Sequence, residues 1–325
     1  MIELARRFRT AAEPVSVRPF GTGHVNDTFR VEDASGRAYI LQRLNPQAFG
    51  HPGHVMENIV AVTRHLAGKA RDPRDHLSLV PTRDGRLWTE DPDPVRPGRQ
   101  GIGPAPGGAP RAEDPSPGRP GRQRAIWRMY DFVPGSIELP LPASEEEMRL
   151  TGEAFGRFLV DLADLDAACL HTTIPDFHDW PSYVAKLKRV VAEDPVGRAK
   201  AVGPQIERAL AYEEFSHAFD DPDLMPLRVT HNDAKVGNVL FDAATRRPLC
   251  VVDLDTVQPG LAVNDFGDSI RSGATTAGED EPDERQVHFS PERFRAFAEG
   301  YLATAGAVLT AAEAAHIPDA CRLMT

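Results

Sequence analysis

In the stretch HNDAKVGNVLF, the polar residues His231, Asp233 and Asn238 stand just ahead of a short strand-like run. A second such run, PLCVV, follows the polar AATRR and ends at Asp253. Together they predict an antiparallel hairpin with a loop of ordinary length. With residues 239–242 pairing symmetrically with 249–252, Asn238 and Asp253 fall opposite each other at its open end, their Cα atoms roughly 4.5–5.5 Å apart. An amide oxygen and a carboxylate at that separation can share one hard cation. Magnesium suits them, because it takes oxygen ligands and keeps its remaining positions for water or phosphate. Asp233, five residues before Asn238, reaches the same space without being a ligand. A free carboxylate beside such a cation is equipment for phosphoryl transfer: the metal neutralises γ-phosphate charge, and the carboxylate orients an acceptor hydroxyl and takes its proton. Turn formation alone would explain each Asp or Asn singly, but not their joint spacing.

The elements that must position this set divide the chain into an N-terminal half rich in strands and a C-terminal half rich in helices. Residues 17–44 read as strand, glycine loop, strand, turn, strand. The loop Gly21-Thr22-Gly23 can bring backbone amides close to phosphates, or simply close a hairpin. In HPGHVMENIVAVTRHLAG, Val55, Ile59, Val62 and Leu66 share one helical face, and Gly68 ends the helix. HLSLVPTRDGRLWTE predicts a hairpin across Asp84-Gly85, and AIWRMYDFVPG a strand running into a turn. Residues 90–124 hold nine prolines, seven glycines and no aromatic residue, so they are expected to be a disordered insertion whose flanking strands still pair.

Beyond it, SEEEMRLTGEAFGRFLVDLADL predicts a helix with Ser144 and Glu147 as a capping box and Phe155, Phe158, Leu159 and Leu162 on one face. A further helix is expected through PQIERALAYEEFSHAF. The 325 residues are 41% apolar and carry a net charge of -11, with no basic stripe to track a phosphate backbone, so nucleic acid is not an expected partner. Neither a signal-peptide pattern nor a membrane-length apolar run occurs, and the three scattered cysteines suit a reducing compartment. These features predict a soluble cytoplasmic protein with no membrane partner. Its oligomeric state is open.

The pattern H-x-D-x-x-x-x-N, met by His231, Asp233 and Asn238 with Asp253 following in VVDLD, resembles the aminoglycoside phosphotransferase and choline kinase branch of the protein-kinase-like fold. Within that branch, HNDAKVGNVLFD, VVDLDTVQPG, DFGDSIRSGATTAGEDE, GTGHVNDTF and YILQRLN are most similar to N-acetylhexosamine 1-kinases. The resemblance implies a bilobal α+β fold: an antiparallel-sheet nucleotide lobe over residues 1–134, containing the 90–124 insertion, and a mainly helical catalytic lobe over 135–325. It implies ATP and Mg2+ as cofactors and a small-molecule sugar as substrate. Asp233 becomes the catalytic base, Asn238 and Asp253 the metal ligands, and His231 a brace of the catalytic loop.

Gly21, Thr22, Gly23 and Arg43 become phosphate contacts, with Arg43 at the place of the usual lysine, next to Gln42, and paired with Glu57. The alternative for Arg43 and Glu57 is an exposed ion pair of little weight. RMYDFVPG resembles the hinge, where backbone groups from Tyr130 to Phe132 would meet adenine. His24, Asn26, Asp255 and Arg271 are acceptor-binding candidates; the alternatives are turn chemistry for His24 and Asn26, and salt bridges for Asp255 and Arg271.

The tripeptide Asp265-Phe266-Gly267 copies the metal-binding tripeptide of protein kinases but comes 27 residues after Asn238. Asp265 is therefore expected to cap a helix or brace the catalytic loop. The sequence departs from the family at Gly237, where an asparagine is usual. It also ends at IPDACRLMT within an apolar helical run, so a truncated acceptor pocket is expected. Kinases of aminoglycosides, choline-like or other alcohols, and a nucleotide-binding pseudokinase, remain alternatives.

Overall fold

The computed structural model describes residues 1–21, 25–45, 48–91, 125–139, 141–278 and 281–324. The expected insertion falls almost wholly outside the described residues, as do Thr22, Gly23 and His24. The chain divides into two compact units, Met1–Met56 with Ser78–Phe132, and Glu57–Leu77 with Val133–Thr325. Glu57–Leu77 thus groups with the second unit and not with the N-terminal stretch.

In the first unit a short helix α1 (Ile2–Ala5) precedes strands β1 (Pro14–Pro19), β2 (Asp27–Asp33) and β3 (Ala38–Arg43). Helix α2 (Pro52–Ala67) begins in this unit, and β4 (Thr89–Asp91) and β5 (Ala125–Asp131) complete its sheet. The strands pair antiparallel in the order β1-β2-β3-β5-β4. Alternation puts Val31, Tyr39, Leu41, Trp127 and Met129 in one apolar cluster with Leu4, Ala5 and Phe8. Asp91 and Ala125, on either side of residues 92–124, are register partners.

The hairpin expected across Asp84-Gly85 forms only at its tip, where the Thr82 N–H donates to the Arg86 carbonyl at 2.7 Å. Its arms do not pair with each other. Leu79 bridges to Tyr130, while Thr89–Asp91 continues the pairing along β5, so both arms lie end to end on the same strand edge. A long edge offers ladder positions to both arms and satisfies more backbone groups than one short hairpin.

The second unit contains β6 (Ser136–Glu138), α3 (Glu145–Leu162), α4 (Trp180–Glu193) and α5 (Gly203–Leu210). There follow β7 (Arg228–Thr230), β8 (Val239–Asp242), β9 (Pro248–Val251) and β10 (Gln258–Gly260). Helices α6 (Ala262–Gly273), α7 (Pro291–Ala305) and α8 (Ala311–Met324) complete it. One sheet runs β6-β8-β9 and a smaller one pairs β10 with β7.

Ser144 caps α3 by accepting the Glu147 N–H at 3.1 Å. Glu147 reaches past the cap to the Ala143 N–H at 2.6 Å, one residue earlier than a capping box requires, and also pairs with Arg246. Helices α3 and α7 touch backbone to backbone. A Cβ on Gly152 would stand 2.3 Å from the Phe297 carbonyl oxygen, and one on Gly300 would stand 2.0 Å from that of Arg149, so only glycine permits this approach. Phe266 of α6 packs edge-on against Phe297 and Tyr301 of α7. Each such fully buried side chain contributes roughly 1.5–3 kcal/mol relative to exposure. Cys250 is buried, and its thiol is pushed up to about 12 by desolvation. Among the described residues no helix is long and apolar enough to cross a membrane.

Candidate active site

The loop from His231 to Asn238 leaves the end of β7 and turns back into β8. Asn232 adopts a left-handed backbone (φ 62°) at this turn, and its side-chain amide donates to the carbonyls of Thr230, Thr256 and Gln258 at 3.1–3.3 Å. Asp265, in the first turn of α6, accepts the His231 N–H at 2.8 Å and the Asn232 N–H at 2.7 Å. It braces the loop and does not cap the helix, whose cap position is Leu261. Burial lifts the Asp265 carboxyl to about 6, against the opposing pull of His231 and of the two N–H bonds.

His231 is fully buried against the edges of the Phe155 and Phe158 rings of α3. Its Nε2 lies 2.9 Å from the Val252 carbonyl, and its Nδ1 accepts the Asp233 N–H at 3.3 Å, which suits the Nε2-protonated tautomer. Through these bonds the imidazole ties the 231–238 loop to the far arm of the hairpin. Ser269 of α6 adds a bond to the Ala234 carbonyl at 2.6 Å.

The Asp233 side chain remains partly open. Asn238 donates its amide to the Asp233 carbonyl at 2.8 Å and to Asp233 Oδ2 at 3.2 Å, which leaves the Asn238 Oδ1 as the atom for a cation. The hairpin register differs by one residue from the symmetric pairing: Val239 opposes Val251, and Val252 donates to the Asn238 carbonyl at 2.8 Å. Asp253 therefore lies one residue beyond the partner of Asn238. Its left-handed backbone (φ 59°, ψ 57°) turns the chain there, and it is exposed. Nearer the loop the offset is two, since Phe241 pairs with Pro248, and the register shift between Leu240 and Phe241 takes back one of the two. The set retains two oxygen donors of the kind magnesium prefers, at one end of one hairpin.

Lys235 was not anticipated. Its ammonium stands 3.5 Å from Asp233 Oδ2 and places a positive charge beside the proposed base. Its signal was its position two residues after Asp233 in the motif. Arg271 pairs with Asp268 at 2.7 Å, the neighbour alternative for this residue, while Asp255 is buried just after Asp253. Asp268 was also missed. Its carboxyl is pushed up by burial, with Arg271 acting in the opposite direction and Asp233 in the same one.

In the first unit Gly21 adopts a left-handed backbone (φ 76°), and Asn26 accepts the Asn45 N–H at 3.0 Å. Within the first unit Arg43 pairs with Asp27 at 3.1 Å, and within the second Glu57 pairs with His171 at 2.6 Å. Arg43 follows the parity of Tyr39 and Leu41, whereas Gln42 lies on the other face and accepts two bonds from the buried Arg128 at 2.9 and 3.0 Å. The N–H groups of Asp131 and Phe132 donate to Ser78 and Ala38, because β5 continues through Asp131. Those two donors are committed to the sheet and not to an adenine edge. Tyr130 is buried, and Phe132 packs edge-on against Phe20.

Residues 16–306 match the sequence profile of APH, described as the phosphotransferase enzyme family. Among solved structures, the chain is similar to amicoumacin kinase hAmiN in complex with AMP-PNP, Ca2+ and Ami, with TM-score 0.63 and 15% identity over 99% of this chain and 81% of that one. It is similar to an aminoglycoside phosphotransferase from Alicyclobacillus acidocaldarius, with TM-score 0.60 and 12% identity over 99% and 82%. A microcompartment-associated aminopropanol kinase matches with TM-score 0.57 and 18% identity over 99% and 85%. At these identities the likeness establishes a kinase-like fold.

Proposed function

The chain belongs to the APH phosphotransferase enzyme family and is a kinase of small-molecule hydroxyl groups; from that premise we propose that it transfers the γ-phosphate of ATP to the anomeric hydroxyl of an N-acetylhexosamine. The observation that carries the chemistry is the lock between Asn238 and Asp233 on a loop clamped by Asp265 and His231. Asn238 Oδ1 and the Asp253 carboxylate would hold Mg2+, which when bound neutralises charge on the transferring phosphoryl group.

Asp233 accepts the proton of the acceptor hydroxyl as its oxygen bonds to the γ-phosphorus and the bond to the β-phosphate oxygen breaks, releasing ADP. Asn238 orients that carboxylate by donating to Oδ2, and Lys235 supplies a positive charge at its side. An anomeric hydroxyl is more acidic than an ordinary alcohol, so a plain aspartate suffices as base. In the first unit, Gly21 and Arg43 are the proposed phosphate contacts, with Thr22 and Gly23 alongside them in sequence.

An uncharged acceptor is favoured over a polycation by the pairing of the acid within electrostatic reach of the proposed base: Asp268 is matched by Arg271. The test is a panel of N-acetylglucosamine, N-acetylgalactosamine, an aminoglycoside, choline and an amino alcohol with magnesium and ATP, read by acceptor-dependent ADP release and product mass. A sugar 1-phosphate is the expected product. Transfer confined to the cationic acceptors contradicts the sugar assignment, and nucleotide binding without any transfer would make the chain a pseudokinase.

A further inference from the structure

The loop leading into α4 contains two non-glycine residues with left-handed backbones, Asp176 (φ 57°) and His178 (φ 60°). Such conformations cost of order 1–3 kcal/mol each and persist where surrounding contacts hold them. Here Tyr183 Oη accepts the His178 N–H at 3.1 Å, and Asp179 caps α4 through the Ser182 N–H at 3.0 Å. The result is a stack of rings. His178 lies against Phe177 with centroids 4.1 Å apart and parallel to Trp180 at 5.8 Å with an interplanar angle of 9°. The imidazole is within electrostatic reach of both Asp233 and Arg271, so the stack and the proposed base share one region of the second unit.

Among the described residues, four buried polar atoms of this loop, the start of α4 and α6 have no hydrogen-bond partner: His178 Nδ1, Trp180 Nε1, Asp268 Oδ2 and Asn264 Oδ1. Asn264, Asp268 and Arg271 follow one another at helical spacings of four and three on α6, so they share a face. Asp268 and Asn264 are each only 3% exposed. Buried polar atoms are nearly always matched, and an unmatched set beside a reacting group marks the place where a ligand supplies the partners.

We propose that His178, Trp180 and Asp268, with Asn264, form the acceptor subsite and recognise the uncharged ring of a carbohydrate. This rests on the phosphotransferase reading above. The apolar face of the ring packs on the aromatic planes, and its hydroxyls meet the buried polar atoms. The indole offers only a donor, while the carboxylate and amide oxygens offer only acceptors. Hydroxyl groups match both kinds, whereas an ammonium group only donates and leaves the indole unmatched. Burial brings the His178 imidazole down to about 4, so it is uncharged at neutral pH. The neighbouring cations, Arg271 and Lys235, further disfavour a cationic acceptor.

Acceptor and nucleotide KM would be measured with N-acetylglucosamine and magnesium-ATP for the wild type, Trp180→Phe, Trp180→Leu and His178→Asn. Asparagine tolerates the left-handed backbone at 178, and phenylalanine at 180 keeps the ring while removing the N–H. The expected result is a KM for the sugar raised roughly tenfold in each variant, as for loss of one buried hydrogen bond. A larger rise is expected in Trp180→Leu, which also loses the stack, with the nucleotide KM within about twofold. Thermal melting separates out any variant that fails to fold, and the aromatic Trp180→Phe then decides. Sugar KM values unchanged in folded variants overturn the subsite alone. A wild type that phosphorylates no neutral sugar overturns the acceptor assignment itself.

Discussion

Asp265 is placed to act on the proposed base through the backbone alone. Its two oxygens hold the N–H groups of His231 and Asn232, and those residues set the backbone from which Asp233 projects. Asp265→Ala would leave two buried donors unmatched, at roughly 1–3 kcal/mol each, so the variant is expected to lose about 2–6 kcal/mol by urea denaturation. Its kcat should fall further than its nucleotide affinity. A stability equal to wild type would show that the loop does not depend on the brace. At this scale the sequence was most legible where residues act by spacing. Asp233 and Asn238 sit on one loop, and Lys235 was readable from the same motif. His178 and Trp180 were not, because their positions relative to Asp233 depend on a left-handed turn that no local pattern in PDFHDW announces. The face of Gln42 became clear only once β3 was paired on both sides, as simple alternation leaves a one-residue ambiguity.

At the scale of elements, the hairpin of β8 and β9 was legible, but its register was not. The pairing set at the loop, Phe241 with Pro248, and its partial return at the shift between Leu240 and Phe241 leave Asp253 one residue beyond the partner of Asn238, and neither feature leaves a compositional trace. Helix α8 is held by a buried ion pair. Arg228 Nε lies 2.7 Å from Glu313 Oε1, and the side chains are 17% and 2% exposed. Thr310 and Glu313 complete a reciprocal cap at the helix start, each accepting the backbone N–H of the other, at 3.0 and 2.7 Å.

Burial raises the Glu313 carboxyl, but the bond from Arg228 and the Thr310 N–H outweigh it and hold it below the ordinary value of 4.5. A depressed native pKa means that this stabilisation is present above about pH 4.5 and is lost as pH falls through the native value. Glu313→Gln is expected to cost roughly 3 kcal/mol at pH 7, since it leaves Arg228 without its counter-charge. The gap to wild type in urea midpoint should narrow on acidification below pH 4.5. A gap that widens there would contradict the ion-pair account.

For the molecule as a whole, the strand-rich and helix-rich halves were readable from periodicity, and the family profile spans residues 16–306. The grouping of Glu57–Leu77 with the second unit was not readable, because a helix face records that something covers it without naming what. Net charge argued against nucleic-acid readout but carried no information on the acceptor, for which the proposed determinants are a handful of buried atoms. The proposed chemistry converges on one carboxylate, and the most direct test is Asp233→Asn assayed for acceptor-dependent phosphate transfer beside nucleotide affinity by calorimetry. The account predicts a loss of kcat of roughly 10²–10⁴ with nucleotide Kd within about twofold; transfer at the wild-type rate would contradict it.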